Sequence, residues 1–394
     1  MTLNAAQVDR PSRKELGRVL LETQSMTPDW APTFAAVDRA AFLPDLMWPF
    51  DMDQGASVPV DRTADPVAWY AAADSNVPIV TQWDDGKHAG TEPGKVSSSS
   101  SSMPSVVYAL LQTLEAEKGM RVLDVGTGTG ETSGALAHRC GRGLVTTIEV
   151  DESVSRRARE RLCAAGLYPE VVVGDGFEGH AGAAPYDRIL ATVGLRKIPG
   201  AWIEQTRQSG LIVAPWGTHF SNADAVARLV VGEGVAAGHF TRPVEFMKLR
   251  AQRLSRPEHD AYMVAGGMDD AGTSTTAITE DELVTGRYTA VPFALGLRVR
   301  ACSQAVAGKR DGARPVWFYG LDDRSWAAVM FRDGQREAHV WQSGPRRLWD
   351  EVEAAYRWWV EQGKPDHTRF GLTVTPEGQH AWLDDPSRSW ELPG

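Results

Sequence analysis

The chain has 394 residues, 42% of them hydrophobic and 23% charged, with a net charge of −10. That length exceeds one typical core, so two or three domains are expected, and the acidic balance excludes a nucleic-acid binder working through a broadly basic surface. Three widely spaced cysteines, Cys140, Cys163 and Cys302, have no CxxC spacing, which predicts neither a disulfide framework nor a zinc site and points to a reducing cytoplasm.

The N-terminal stretch MTLNAAQVDRPSRKELG is polar and lacks an apolar signal core. No window approaches the ~18–20 apolar residues of a membrane span. A cytoplasmic protein with no membrane partner is expected. Residues 12–45 read as helices, because Leu16, Val19 and Leu20, then Phe34, Val37 and Ala41, recur at helical spacing. The stretch from Trp48 to Pro66, rich in Asp and Pro, reads as loop, and NVPIVTQW as a short strand. Six successive serines, Ser97 to Ser102, then precede Met103, Pro104 and the helical pattern SVVYALLQTL.

From Met103 the grammar changes. RVLDV, LVTTIEV, EVVVGD, DRILATV and GLIVAPWG read as strands; TSGALAHRC, ESVSRRARERLCAAG and AWIEQTRQ read as helices between them. This alternation predicts βαβ units and a mostly parallel central sheet covered on both faces. After Arg256 the sequence turns polar and Gly/Thr-rich. The helix PRRLWDEVEAAYRWWVEQGKP, with Trp349, Val352, Ala355, Tyr356 and Trp359 on its buried face, sits among short apolar runs further on. The division expected is 1–95 for an N-terminal helical segment and substrate loop, 96–255 for the α/β core, 256–285 for a linker or long loop, and 286–394 for a separate α+β domain.

The stretch VLDVGTGTG ends a buried strand in Gly126, Gly128 and Gly130. Glycine lets such a turn approach a ligand closely, and the next helix aims its N-terminus at it. The dinucleotide fingerprint G-x-G-x-x-G needs glycine at 131, where Glu131 stands and would repel a pyrophosphate. S-adenosylmethionine carries no phosphate and is cationic at sulfur. Asp124 before the turn, Glu149 at the next strand end as a bidentate acceptor for ribose hydroxyls, and Asp175-Gly176 at the third strand end agree with that coenzyme.

With these residues in view, three motifs resemble the protein-L-isoaspartate O-methyltransferase family over roughly residues 12–250. They are RVLDVGTGTGETSGALA, VVVGDGFEGHAGAAPYDRILATVGL and SGLIVAPWG; VDRAAFLP echoes a fourth weakly. The resemblance implies a Rossmann-like class I methyltransferase of the α/β class. It implies a coenzyme set of Asp124, Gly126, Thr127, Gly128, Thr129, Gly130, Glu149, Val150, Asp175, Gly176 and Thr192, and S-adenosylhomocysteine as product. The family's Thr-Ile-Ser-x-Pro stretch, whose serine helps to hold the substrate carboxylate, falls at Ser100-Ser101-Ser102-Met103-Pro104. Ser100, Ser101 and Ser102 are therefore the catalytic candidates; Ser97, Ser98, Ser99 and His88 are candidates for substrate binding.

A carboxylate, with an ordinary pKa near ~3.9, is already a nucleophile at neutral pH, so no general base is required. Neutral hydroxyls orient it without the strong neutralisation of a bidentate arginine. Pro104 opens a helix with Ser102 or Met103 as its cap, and a helix N-terminus favours an anion. The alternative for the run is a flexible linker. Two departures, the long serine run with its expanded upstream loop and the C-terminal extension beyond Leu249 to Arg253, are similar to actinobacterial enzymes of the lanthipeptide and graspetide type. That likeness implies methylation of an aspartate side chain in a ribosomal peptide, giving a methyl ester that closes to aspartimide and opens in part to isoaspartate. The alternatives are repair of isoaspartyl proteins and an inactive binding protein on the same scaffold. The partner expected is a peptide or protein bearing Asp or isoAsp; no metal-binding acidic cluster is seen.

Overall fold

The computed structural model describes residues 10–254, 258–263, 267–284, 286 and 288–392. Of the expected linker, residues 256–257, 264–266 and 285 lie outside the described residues.

Helices Pro11–Glu22 and Ala31–Ala36 of the N-terminal part pack with helices Pro104–Leu114 and Glu131–Cys140, and the same part carries a small sheet. Its strands are β1 Leu46–Asp51, β2 Ala56–Ser57, β3 Val60–Asp61, β4 Ile79–Trp83 and β5 Ser97–Ser101. Trp48 to Pro66 is therefore not the loop expected. Asp51 and Asp61 cap tight turns, while Met47 and Trp48, ahead of Asp51, are buried as strand. The serines are also strand. β5 pairs antiparallel with β4, Ile79 facing Ser101 and Val80 facing Ser100, so tertiary pairing overrides serine's weak preference for extended structure. Among the helical positions expected to face inward, Leu16 and Leu20 are buried, Val19 only partly so, and Ala41 is exposed beside buried Phe42 and Leu43.

The central sheet follows the sequence alternation. Its parallel strands are β6 Val122–Val125, β7 Val145–Glu149, β8 Glu170–Val173, β9 Tyr186–Ala191 and β10 Thr206–Trp216. Antiparallel β11 Asp224–Gly232 and β12 Val235–Val244 continue it. Every residue of β6 is buried, as a strand covered on both faces requires. Helices Pro104–Leu114 and Glu131–Cys140 cover the face that carries Val122, and helix Gly200–Gln205, through Trp202 and Ile203, packs with Leu123 and Val125 on the other. The α/β expectation holds for this half.

The C-terminal residues divide in two. β13 Gly272–Thr276, β14 Cys302–Val306, β15 Ala313–Gly320, β16 Trp326–Arg332 and β17 Ala338–Ser343 form a second, antiparallel sheet in the order β13-β17-β16-β15-β14. β18 Phe370–Thr375, β19 Gly378–Leu383 and β20 Ser389–Leu392 instead join the central sheet, whose full order is β20-β19-β18-β12-β11-β10-β9-β6-β7-β8. A single cluster of buried side chains runs from Leu123 and Trp216 through Phe293 and Phe318 to Trp349 and Leu392. The separation expected at residue 286 is thus not a break between cores, and β13 lies within the stretch expected to be a linker. The sheet is parallel in its β8-to-β10 half and antiparallel from β10 to β20, because β18 pairs with β12 across the intervening second sheet. Helix Leu348–Glu361 buries Trp349, Val352, Ala355, Tyr356 and Trp359, the face its spacing predicts.

Candidate functional site

The chain runs from β6 outward to β7 and β8, then crosses back to β9 on the other side of β6. The crevice at the carboxyl ends of β6 and β9 is the switch point where α/β sheets hold ligands. A cavity open to solvent, with about 790 Å³ of empty space when the open solvent at its mouth is included, lies there. Ser98 to Ser102, Val125 to Thr129, Glu131, Ile148 to Val150, Gly176, Thr192 and Lys248 to Arg250 are among its walls.

The turn after β6 needs its glycines. Gly126 has φ +97°, and a Cβ there would lie 2.8 Å from Val193 Cγ1. Gly128 has φ +53°, with a Cβ 3.3 Å from the Ser100 carbonyl oxygen. L-residues rarely adopt such φ values. Glu149 holds this turn: Oε2 accepts from the Gly128 N–H at 3.0 Å and Oε1 from the Asp151 N–H at 3.1 Å. Burial raises its pKa, against those two N–H groups. Each oxygen keeps a further lone pair for a diol. Thr192 Oγ1 donates to the Gly126 carbonyl at 2.9 Å, tying the end of β9 to the turn.

Not every expected coenzyme residue faces the cavity. Asp124 is fully buried beneath the turn, where Oδ2 accepts from Ser133 Oγ at 2.6 Å and Thr147 Oγ1 at 3.0 Å. Burial pushes its pKa up to about 6. Its direct role in holding a ligand is corrected to support of the turn. Asp175 is exposed and caps a short helical turn through the Phe177 N–H; its neighbour Gly176 is the cavity wall. Gly130 packs towards Leu162 and Ala158 at the start of helix Glu131–Cys140.

The serine strand abuts the glycine turn, but its hydroxyls differ. Ser101 Oγ accepts from Arg39 Nε at 2.8 Å and donates to Glu131 Oε2 at 2.8 Å. Both of its roles are filled, so it is a structural tie rather than a free donor. Arg39, buried, also donates to the carbonyls of Ser75, Val77, Ser101 and Ser102. Burial raises the Glu131 pKa, with Arg39 and then Ser101 opposing. Ser98 Oγ donates to Gln82 Oε1 at 2.8 Å and accepts from the Asp85 N–H; Ser99 Oγ accepts from Thr81 Oγ1 at 3.3 Å. Ser100 and Ser102 line the cavity with no side-chain partner among the described residues. The helix Pro104–Leu114 is capped by Met103 without a side-chain bond, so neither Ser102 nor any other serine caps it. Ser97 and His88 are off the cavity; His88 Nε2 meets the Glu92 carbonyl at 2.6 Å within its own loop.

A polar strap crosses above. Asp85 takes Arg253 Nη1 at 2.8 Å and Arg250 Nε at 3.2 Å, while Arg250 Nη2 reaches Asp151 Oδ2 at 3.1 Å. Although burial opposes it, bonds from Ser153, the Val154 N–H, Arg250 and Gln82 hold Asp151 well below the usual carboxylate range. Among the described residues no group of three or more His, Cys, Asp or Glu side chains is placed to hold a metal ion. No described helix is long and apolar enough to cross a membrane.

The sequence profile described as "Protein-L-isoaspartate(D-aspartate) O-methyltransferase (PCMT)" matches residues 88–251, the span from the β4–β5 loop to the strap. The Polaromonas sp. protein-L-isoaspartate O-methyltransferase 2 is 35% identical over 153 residues, 39% of this chain and 72% of the relative. The chain belongs to the protein-L-isoaspartate O-methyltransferase family. Another relative, the Ignicoccus hospitalis enzyme of that name, is 40% identical over 116 residues, 29% of this chain and 55% of its own. The first relatives compared are spanned over 41% to 59% of their length.

A solved structure named protein-L-isoaspartate O-methyltransferase matches with a TM-score of 0.52 at 18% identity, covering 95% of this chain and 100% of its own. At that identity the likeness is one of fold. It extends over the C-terminal residues. Sequence reading missed Arg39, Glu131 as a wall, Lys248, Arg250 and Arg253. Arg39 sits in VDRAAFLP, the weak fourth motif, and the last three in KLRAQR at the end of the matched span; those were the available signals.

Proposed function

We propose that the chain is an S-adenosylmethionine-dependent carboxyl O-methyltransferase acting on an isoaspartyl residue of a peptide or protein. The observation that carries this reading is Glu149, which both braces the glycine turn and keeps lone pairs at the cavity, with Ser100 and Ser102 unpartnered across from it. The residues present fit the coenzyme. Glycine at 126 and 128 leaves space that a Cβ would fill. The acids Glu131 and Glu149 suit a cation and oppose a dinucleotide pyrophosphate. Bound S-adenosylmethionine would supply an electrophilic methyl group on a cationic sulfur.

The chain's own work is then positioning. Glu149 accepts from the ribose hydroxyls, and the backbone of Gly126 to Gly128 leaves room for the amino-acid end. Ser100 and Ser102 donate to the acceptor carboxylate and orient one oxygen in line. Orientation of this kind supplies about 7–11 kcal/mol of a barrier. No proton is transferred in that step, because the acceptor is already an anion.

A second reading, methylation of an aspartate side chain in a ribosomal peptide with aspartimide as the sequel, is favoured by one feature: a serine strand stands beside the glycine turn, tied through Ser98, Gln82 and Asp85 to the strap. The repair-type reading has the wider support, from the family. Incubation with paired isoaspartyl and aspartyl peptides separates them by which one gains a methyl group in mass spectrometry. Failure to bind S-adenosylhomocysteine in calorimetry removes both and leaves the binding-protein alternative.

A further inference from the structure

Three charged side chains meet where the end of β9 faces the cavity. Asp224, wholly buried at the start of β11, takes Arg196 Nη1 on Oδ1 at 2.7 Å and the Lys248 ammonium on Oδ2. The Arg196 side chain is 10% exposed and that of Lys248 13%. Two cations against one carboxylate leave a positive charge in excess in a place nearly closed to water. Glu245 is exposed and acts on Lys248 more weakly than Asp224. His219 offers no compensating anion; burial, then the fields of Arg196 and Lys248, lower its pKa and keep it neutral. A buried charge without a counter-ion is costly, so the cluster calls for an anion.

The ammonium is free to take one. Of its three N–H donors, one meets Asp224 and one the Phe246 carbonyl at 3.0 Å. Lys248 lines the cavity together with Ser100 and Ser102; Arg196 does not. Its backbone bridges to Gly194, two residues beyond Thr192, and a Cβ at Gly194 would lie 2.9 Å from Lys248 Nζ. Thr192 and Val193 stand where a Cβ on Gly126 of the turn would lie. The ammonium therefore stands at the switch point.

The geometry points to Lys248 as a specificity-determining residue that holds the anionic acceptor, an aspartyl or isoaspartyl carboxylate, with Asp224 and Arg196 as positioning residues behind it. This rests on the carboxyl-methylation reading. One carboxylate oxygen forms a bond to the methyl carbon as the methyl–sulfur bond breaks, its electron pair staying on sulfur. The anion becomes a neutral ester and the sulfonium a neutral thioether. Lys248 thus attracts the substrate and not the product. It also stabilises the full charge of the bound acid more than the fading charge of the transition state, so it acts on KM rather than on kcat.

The test uses the full chain saturated with S-adenosylhomocysteine and titrated calorimetrically with aspartyl, isoaspartyl and asparaginyl versions of one peptide. The wild type is expected to bind its preferred acid about tenfold or more tighter than the amide, the strength of a charged hydrogen bond. Lys248→Met brings that ratio to about one, and Lys248→Arg keeps most of it. Lys248→Met leaves Arg196 and Asp224 as a balanced pair, so folding is expected; Lys248→Gln is the second variant, with the same expectation. Steady-state KM for the peptide rises about tenfold with kcat unchanged or higher. A variant without the ammonium that keeps the acid-over-amide ratio, or a wild type without such a ratio, overturns the inference. Failure of the wild type to bind S-adenosylhomocysteine is a separate outcome, which overturns the methyl-transfer reading and this inference together.

Discussion

Ser101 Oγ donates to Glu131 while accepting from Arg39, both at 2.8 Å, and so joins the serine strand to the helix that follows the glycine turn. Its neighbours make no such tie. Ser101→Ala should therefore act on folding: a buried guanidinium and a buried carboxyl lose a partner, at a cost of about 1–3 kcal/mol. Ser100→Ala and Ser102→Ala should leave the thermal midpoint nearly unchanged and lower kcat/KM by roughly 10- to 100-fold, the worth of a hydrogen bond to a charged group. Melting curves with steady-state rates check both. Loss of turnover in Ser101→Ala without loss of stability would contradict this division.

Gly126→Ala tests the turn. The backbone sits at φ +97° and the new methyl would press on Val193 at 2.8 Å. Strain of about 1–2 kcal/mol is expected from the dihedral alone, and the turn must move off the cavity. The expected result is a folded protein that no longer binds S-adenosylhomocysteine in calorimetry. Gly134→Ala, on the following helix at an ordinary φ, is the control, with stability the main readout because its Cβ would meet Leu167 and Phe42.

Local pattern made the core of this architecture legible. Buried β6 and β9, the three glycines and the inner face of helix Leu348–Glu361 all follow from apolar spacing within a few residues. What escaped depends on distant partners. Serines 97–101 are strand because Ile79 to Trp83 pair with them. β18 joins β12 with more than a hundred residues between them, and no local period encodes that choice. The site was legible in the same proportion: Glu149 and Ser100 were found by motif, whereas Lys248 and Arg39 gain their meaning from Asp224 and Glu131, partners on other elements.

Asp124 should tilt stability against pH. Burial lifts its pKa from an ordinary 3.8 to about 6, with Ser133 and Thr147 opposing. The folded state then binds the proton more tightly than the unfolded chain. Its contribution is whole below pH ~4 and fades as pH rises through 6, a loss of about 3 kcal/mol. Asp124→Asn removes this slope. Chemical denaturation between pH 4 and 7 should show the variant gaining stability relative to wild type as pH rises.

His367 has the opposite sign over nearly the same window. Burial against Phe293 lowers its pKa from 6.5 to about 4, with Asp366 opposing weakly. The unfolded chain binds the proton more tightly, so stability is whole above pH ~6.5 and falls by about 3 kcal/mol as pH drops through 4. The two groups offset each other in the wild type. His367→Leu should unmask the Asp124 slope, and adding Asp124→Asn should remove that part of it. A wild type steeper than both single variants would refute the pairing.

The strap offers a kinetic prediction. Asp85 reaches both Arg250 and Arg253 from the β4–β5 loop and is 41% exposed, each arginine 27%. Exposed pairs contribute about 1 kcal/mol or less, and screening by salt weakens them further. Asp85→Asn should therefore leave the melting point within a few degrees. Yet the strap is what bridges Ser98 and Gln82 on one side to residues 250–253 on the other. Releasing it lets the loop leave the cavity mouth, so bound S-adenosylhomocysteine should dissociate faster by roughly fivefold, the equivalent of about 1 kcal/mol. Raising salt should speed release from wild type and leave the variant unaffected. Stopped-flow displacement at two ionic strengths reads both; equal off-rates for the two proteins at low salt would mean that the strap does not gate the site.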